Sequence, residues 1–253
     1  MLDKLKKLYR EQGLEGVLIH ASGAKYWPKW LLYYMRVDLY AARRLKISTQ
    51  AANRMRLMLQ GIAEADSDEI GEISAFWCAH TRGMQGQAES LTRSLLRDIE
   101  DLGLKICRYK GEEGIRGFLC AYTQLRYIPA PGSGGDRLVV RCSKDLVCMG
   151  YGLVGYKWRL SRLFAGMMKY RFDTAAESTT LFVADVSPLN KRSYRSLESL
   201  GFAHLLKVRR IKILGLIRFW QLSFLSGPKQ WSFSSELEIS PEALDEVARK
   251  LGL

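Results

Sequence analysis

Residues 179–186, TTLFVADV, constrain the fold most, because apolar side chains follow one another there almost without interruption. A strand with one solvated face alternates apolar and polar residues, whereas a short continuous apolar run is typical of a strand buried on both faces. Such a strand lies near the middle of a sheet that has helices on its faces. The stretch therefore predicts the buried centre of an α/β sheet.

Hydrophobic periodicity assigns the elements around this strand. We predict a strand at Arg54–Ile62, helices around Ile70 and Leu95, and a helix over 156–170. Further strands are predicted, in chain order, at LKICRYKG, IRGFLCAYTQLRYI, RLVVRC, LVCMGYGLV, LLKVRRIKIL and IRFWQLSF. The resulting order, β-α-α-β-β-β-α-β-α-β, predicts one mixed sheet of the α/β (α+β) class rather than a doubly wound parallel sheet.

Three segments are expected along the chain. Residues 1–53 form a basic, amphipathic and aromatic N-terminal extension that starts with a helix, residues 54–225 form the main domain, and residues 226–253 form a tail with a capped helix. The extension contains YWPKWLLYYMRVDLYAARRLK, which is rich in aromatic and cationic residues. Two interpretations stay open for it: packing on the domain with its charges reaching solvent, or contact with a membrane surface.

The net charge of +13 indicates an anionic partner. Candidates are a phosphorylated cosubstrate, an acidic carrier protein, nucleic acid and an anionic membrane surface. Nucleic acid is the partner we do not expect, because the positive charge is spread over several segments and no recognition motif accompanies it.

The cysteines and the N-terminus bear on localisation. The chain has five cysteines, an odd number without a CxxC pair, so we expect reduced thiols in a cytoplasmic protein and no metal site. No uninterrupted apolar segment follows the N-terminal charges, and arginines at 36, 43 and 218 break the longest apolar runs. We therefore expect neither a signal peptide nor a membrane-spanning helix, and peripheral contact with the inner membrane surface stays an open alternative.

The stretch after the apolar strand, VSPLNKRSYRSLESLGF, is the most informative motif. A strand ends in V-S-P-L-N, a serine follows the asparagine by three positions, and L-G-F closes a short helix. The residues that carry the pattern are Val186, Pro188, Asn190, Ser193, Leu200, Gly201 and Phe202. Together with the element order, this pattern resembles the GCN5-related N-acetyltransferase (GNAT) fold over about Arg54–Leu225. The resemblance implies a divergent GNAT member, although Gly201 alone also suits an ordinary helix C-cap.

The resemblance implies where a thioester donor binds. In the family, a loop after a strand opens a helix whose N-terminus receives the pyrophosphate of coenzyme A. The matching loop here is WRLSRL, residues 158–163, in which Ser161 and Leu163 occupy positions where glycine or alanine is usual. We expect Leu163 to crowd the phosphates. Two interpretations stay open for Arg159 and Arg162: partial compensation by charge-assisted bonds to phosphate, or two cations on a solvated helix face. The expected donor-binding residues are Leu153, Val154, Arg159, Ser161, Arg162, Asn190 and Ser193.

Tyr151 and Asp145 are the catalytic candidates. The position of the family's acid is occupied by Leu197, and the positions of its base by Met149 and Gly150. Tyr151 is the nearest ionisable neighbour, and Asp145 starts the same strand. Each has a structural alternative, which is core packing for Tyr151 and capping of a turn for Asp145.

Two functions follow from the resemblance. The first is an N-acyltransferase in which an amine attacks a thioester directly, with acetyl-CoA, another acyl-CoA or an acyl carrier protein thioester as donor and an unidentified amine as acceptor. A backbone N–H would stabilise the oxyanion, which requires no particular side chain. The second is a catalytically degenerate domain of the same fold that binds a membrane surface or a protein partner.

Overall fold

The computed structural model describes seven segments of the chain, which are 2–23, 32–81, 83–129, 136–159, 161–214, 216–225 and 229–253. The helices are α1 Leu2–Gly23, α2 Thr49–Leu59, α3 Glu69–His80, α4 Ala88–Leu102, α5 Leu163–Thr174, α6 Lys191–Ser199 and α7 Pro241–Lys250. The strands are β1 Leu32–Ala42, β2 Ile62–Glu64, β3 Leu104–Gly111, β4 Gly114–Tyr122, β5 Leu125–Pro129, β6 Arg137–Arg141, β7 Leu146–Val154, β8 Leu181–Val186, β9 Ala203–Ile213, β10 Ile217–Phe224, β11 Lys229–Ser232 and β12 Glu236–Ile239. None of these helices is both long enough and apolar enough to cross a membrane.

Nine strands form one mixed sheet in the order β11-β10-β9-β1-β8-β7-β4-β3-β2, and β12-β6-β5 form a smaller sheet. In the large sheet β7 and β8 pair in parallel, and the other neighbours pair antiparallel. The predicted fold class, a mixed sheet with helices on its faces, is confirmed.

Two cores cover the two faces of the large sheet. On the α3/α4 face, Ile70 of α3 and Leu95 of α4 pack with the small sheet and α7. On the α5/α6 face, Met167 of α5 and Leu197 of α6 pack with α2. The central strand β8 contributes alternate residues to both cores. Its continuous apolar sequence therefore reflects burial on both faces of the sheet, as predicted.

The prediction of a strand at Arg54–Ile62 is wrong. Helix α2 continues to Leu59, and only Ile62–Glu64 are extended, as β2. The Ser48 Oγ accepts a hydrogen bond from the Ala51 N–H and caps α2. Met55 is 2% exposed, and Met58 and Leu59 pack against the α5/α6-face core. Capping and this burial outweigh the local alternation that suggests a strand.

Strand β1 belongs to the large sheet, whereas the sequence predicts that residues 1–53 form an extension outside the main domain. It lies between β8 and β9 in the large sheet, with Asp38 opposite Val186 and Lys207. Leu39 and Ala41 are fully buried, so this part of the aromatic segment packs into the core of the main domain. The helix predicted at the start of the chain is present as α1, and residues 24–31 of the aromatic segment lie outside the described residues.

Candidate functional site

The parallel strands β7 and β8 diverge. Their register runs from Leu146 opposite Leu181 to Met149 opposite Ala184, and β7 then continues to Val154 along β4. Beyond the divergence, β7 leads to α5 and β8 leads to α6. Ligands of open α/β sheets bind in the crevice outside the carboxyl ends of such strands, so this opening is the candidate site.

A β-bulge lies where β7 leaves β8. Gly152 pairs with Leu119 and Met149 pairs with Ala121, so Gly150 and Tyr151 together lie opposite one residue of β4. A bulge leaves its extra residue outside the hydrogen-bonded ladder and turns a side chain toward a new direction. Tyr151 consequently faces α3, where its ring lies 4.9 Å from that of Trp77 between centroids.

A group of polar side chains lies under the opening on the α3/α4 face. The Arg126 Nε donates to Asp185 Oδ1 at 3.4 Å, and its Nη1 donates to Tyr122 Oη at 3.3 Å. The Arg126 guanidinium also lies 4.3 Å from the ring centroid of Tyr151. The Tyr122 hydroxyl donates to Asp98 Oδ2 at 3.4 Å. We call Asp98, Tyr122, Arg126, Tyr151 and Asp185 the Arg126 cluster.

Burial sets the electrostatics of the Arg126 cluster. Desolvation alone would lower the pKa of Arg126, but Asp185 and the neighbouring tyrosines raise it well above the usual arginine range. Burial also raises the pKa of the Asp98 carboxyl above its ordinary value, against the opposing charges of Arg97 and Arg126. The cluster therefore holds a permanent buried cation near a carboxyl whose pKa burial raises.

Helix α5 begins on the opposite face, after a short 3₁₀ turn at Tyr156–Trp158. The Arg159 Nε donates to the Val154 carbonyl at 3.3 Å, and the Ser161 hydroxyl donates to the Trp158 carbonyl at 2.6 Å. Arg162 is the residue before α5 and has a φ of 63°, which is strained for a side chain other than glycine. Backbone strain of this kind concentrates at functional sites.

Leu163 does not crowd this loop, contrary to the expectation from the sequence. Its side chain is 1% exposed, and its Cδ2 would lie 3.1 Å from a Cβ added at Gly117. Because the side chain points into the core, Arg159 and Arg162 are left at the exposed surface of the turn.

A cleft of about 650 Å³ opens beside the same turn, on the side of α3. Arg116 and Trp158 line it, and the Arg116 guanidinium lies 4.2 Å from the centroid of the Trp158 ring. The buried Arg116 Nε has no hydrogen-bond partner among the described residues. A buried cationic nitrogen without an acceptor is costly, and an anionic ligand group in the cleft would supply one.

Helix α6 begins on the other side of the opening. Asn190 is its N-cap, and its Oδ1 accepts a hydrogen bond from the Ser193 N–H at 3.2 Å. Capping by itself explains an asparagine at this position, so Asn190 has a structural role independent of any ligand. Gly201 ends the helix with a φ of 94°, and Phe202 enters the core.

The structure brings most of the predicted site residues to one end of β7 and β8. Tyr151, Leu153 and Val154 lie on the diverging part of β7, followed by Arg159, Ser161 and Arg162. Tyr151 is 41% exposed, so the core-packing alternative for it is wrong. Asn190 and Ser193 lie at the start of α6, which follows β8.

Asp145 is not brought together with the other predicted residues. It precedes β7 at the opposite end of the strand, and its carbonyl accepts hydrogen bonds from the Thr180 and Leu181 N–H groups. It lies six positions before Tyr151 along an extended chain, a distance of roughly 20 Å. Asp145 therefore belongs to a turn, which is the structural alternative considered for it.

Four residues of the Arg126 cluster were not predicted from the sequence: Asp98, Tyr122, Arg126 and Asp185. Asp185 carried a usable signal, because it is the single charged residue within the apolar strand β8. A buried acid in such a strand requires a partner, here Arg126. No group of three or more His, Cys, Asp or Glu residues within the described segments is arranged to hold a metal ion.

Comparisons with known proteins find no matching family model and no matching curated protein. Solved structures do match. One is AAC(6')-Iy in complex with a CoA-containing bisubstrate analogue, at 16% identity over 56% of this chain and 89% of that one, with a TM-score of 0.39. A second is the ribosomal-protein-alanine N-acetyltransferase of Brucella melitensis, at 13% identity over 54% and 88% of the two chains, with a TM-score of 0.38.

A third match is an acetyltransferase of the GNAT family from Colwellia psychrerythraea, at 11% identity over 76% of this chain and 57% of that one, with a TM-score of 0.42. Identities this low concern the fold alone and say nothing about the chemistry of this chain. In fold, and at low identity, the protein is similar to acetyltransferases that include members of the GNAT family.

Proposed function

We propose that the protein is an N-acyltransferase that moves an acyl group from a thioester donor to an amine. The donor is acetyl-CoA, another acyl-CoA or an acyl carrier protein thioester. The observation that carries the proposal is the divergence of β7 and β8 at the bulge of Gly150 and Tyr151. The opening has helix N-termini on one face and the Arg126 cluster on the other, so two substrates can approach it from opposite sides.

The donor side is the α5/α6 face. The exposed Arg159 and Arg162 lie at the start of α5, where the helix dipole also favours negative charge. In the proposed complex these arginines hold the diphosphate of an acyl-CoA, or the phosphate and acidic surface of a carrier protein. The acyl arm would run past Val154 and Leu153 to the bulge, alongside Asn190 and Ser193.

The acceptor side is the α3/α4 face, where Tyr151 reaches the surface beside Trp77. The amine nitrogen attacks the thioester carbonyl carbon, a C–N bond forms, and the C–S bond breaks to release a thiol. A backbone N–H at the bulge stabilises the oxyanion. Tyr151 gives its phenol proton to the departing sulfur and regains one from the nitrogen, and the nearby Arg126 cation stabilises the transient phenolate.

Thermal-shift titration tests donor binding with coenzyme A, acetyl-CoA, a long-chain acyl-CoA and an acyl carrier protein. A ligand that binds only the native state adds about 2.7 kcal/mol at a hundred times its Kd. For a chain of this size the midpoint should rise by about 5–10 °C. A shift with coenzyme A identifies a diphosphate site, and a shift confined to long-chain or carrier-bound donors identifies fatty acyl transfer.

The variant Arg159→Gln/Arg162→Gln is expected to lower the affinity for the donor by about tenfold or more, because each arginine would make a charge-assisted bond to phosphate. Both side chains are exposed, so the unliganded midpoint should stay unchanged. Arg93→Gln, which removes an exposed cation from α4, is the matched control and should bind the donor as the wild type does. If a folded wild-type sample responds to none of the four donors, the proposal fails and the degenerate binding domain is the better account.

A further inference from the structure

The hairpin that joins β9 to β10 ends in an exposed apolar tip. Leu216 is 83% exposed, Ile217 is 54% exposed and Leu214 is 53% exposed. The Leu216 N–H donates to the Ile213 carbonyl at 3.2 Å, which connects the two strands at this end of the hairpin. Single exposed apolar residues are normal on a protein surface, but a contiguous apolar projection indicates an interaction site.

The apolar surface extends from the tip along one face of the hairpin. Ile217 pairs with Ile213, Phe219 pairs with Ile211, and alternate residues of a strand share a face. The ring of Phe219 lies 5.2 Å from that of Trp231 and 6.1 Å from that of Phe233, between centroids. From Leu216 to Phe219 the apolar surface covers roughly 10 Å along the strand direction.

The opposite face of the same hairpin end is cationic. Lys212 and Arg218 are direct cross-strand partners. Like charges in this position repel each other, and among the described residues no carboxylate forms an ion pair with either. The repulsion is relieved when anions lie beside the hairpin.

The backbone at Leu214 adds an independent observation. Its φ is 52°, a conformation that glycine and asparagine adopt readily and leucine does not. Leu214 is also exposed, so neither backbone preference nor burial within the fold explains a leucine here. A contact outside the chain does explain it.

We propose that this hairpin docks the protein on an anionic lipid bilayer. The tip enters the boundary between headgroups and acyl chains, an apolar insertion of about 5–10 Å that matches the length of the exposed surface. Phe219, Trp231 and Phe233 lie at headgroup depth, where aromatic rings are favoured. Lys212 and Arg218 bind lipid phosphates, consistent with the net charge of +13. The occupant is a lipid surface rather than a protein groove because the tip projects outward and has cations directly behind it.

Co-sedimentation of the full chain with vesicles tests this docking. The wild type is expected to bind vesicles of phosphatidylcholine and phosphatidylglycerol, and to bind pure phosphatidylcholine vesicles more weakly. The variant Leu214→Asn/Leu216→Asn should lower the partition coefficient by about tenfold or more, because two inserted apolar side chains are lost. Its unfolding midpoint should stay unchanged or rise, since asparagine suits the left-handed conformation at residue 214.

Leu225→Asn is the matched control, because Leu225 is 55% exposed and follows the far end of β10. It should bind vesicles as the wild type does. Failure of the wild type to sediment with anionic vesicles overturns the proposal, and so does a tip variant that partitions like the wild type. A wild-type dimer in light scattering that the tip variant dissociates, without vesicle binding, would show that a second copy occupies the hairpin instead. No donor is present in these measurements, so their outcome is independent of the proposed acyl transfer.

Discussion

Replacing Asp136 by alanine is expected to destabilise the protein by about 3–5 kcal/mol, because the change leaves a buried arginine without its counter-ion. The Arg210 Nη2 lies 2.7 Å from Asp136 Oδ2, and the two side chains are 0% and 1% exposed. Arg210 also lies 4.8 Å from the centroid of the Trp220 ring, deep in the α3/α4-face core. Both side chains are shielded from solvent, so an unpaired charge there carries a large desolvation cost.

Urea denaturation measures this loss directly. Glu236→Ala is the matched control: it removes the acid of the exposed neighbouring pair with Arg137 and should cost less than about 1 kcal/mol. The double variant Asp136→Ala/Arg210→Met should recover most of the loss, because it removes the buried charge together with its partner. A double variant as unstable as Asp136→Ala would mean that the ion pair is not the cause.

Glu15→Gln is expected to cost about 2–3 kcal/mol at neutral pH and nothing near pH 2, after allowance for solvent screening of a partly exposed side chain. Burial alone would raise the pKa of Glu15, but hydrogen bonds from Tyr34 and Arg209 and the charges of Arg36 and Arg209 outweigh it and lower the pKa to about 2. Through these contacts Glu15 fastens α1 to β1 and β9.

The pH range of the Glu15 effect follows from the direction of that shift. In the unfolded chain Glu15 has its ordinary pKa of 4.5, so the folded state favours the ionised carboxylate. The stabilisation is fully present above about pH 4.5 and is lost as the pH falls toward about 2. Chemical denaturation of the wild type and Glu15→Gln across this range should give two curves that converge at low pH.

Glu11→Gln is the control for this experiment, since Glu11 is an exposed acid on the same helix. Its denaturation curve should follow that of the wild type at every pH. A constant difference between the wild type and Glu15→Gln across the titration would contradict the ionic origin of the effect.

The parts of the fold that the sequence predicted are those set by local signals. The apolar run of β8 requires cover on both faces, and the structure provides it. The cap of Asn190 and the helix stop at Gly201 depend on neighbours within a few residues, so the bounds of α6 were readable. The loop before α5 was instead located through the resemblance, by counting back from Asn190 with the spacing usual in the family.

The position of β1 could not be predicted, because its partners β8 and β9 lie roughly 140–180 residues further along the chain. The charged residues of β1 also favour a wrong prediction, that of a segment at a membrane surface. Arg36 and Asp38 resemble the polar residues of an interfacial segment, but they bind each other within the fold, with the Arg36 Nε at 2.7 Å from Asp38 Oδ1.

The candidate site also contains some residues that were predicted from the sequence and others that were not. Arg159, Arg162 and Asn190 were predicted from the resemblance, which matches positions along one stretch of the chain. Arg126 and Asp185 are 59 residues apart, in β5 of the small sheet and β8 of the large sheet, and meet only in the folded chain. The bulge that turns Tyr151 toward α3 depends on the pairing with β4, which no local pattern in β7 encodes.

Amide hydrogen exchange with and without acetyl-CoA or a long-chain acyl-CoA tests the central claim, that a thioester donor binds where β7 and β8 diverge. A saturating donor should slow exchange at Tyr151–Val154, at Arg159–Arg162 and at the start of α6 around Ser193. His204 and Lys207 of β9, on the far side of the cleft between α1, β1, β9 and α6, should exchange as before. Protection confined to that cleft, or none anywhere in the chain at saturating donor, would contradict the account.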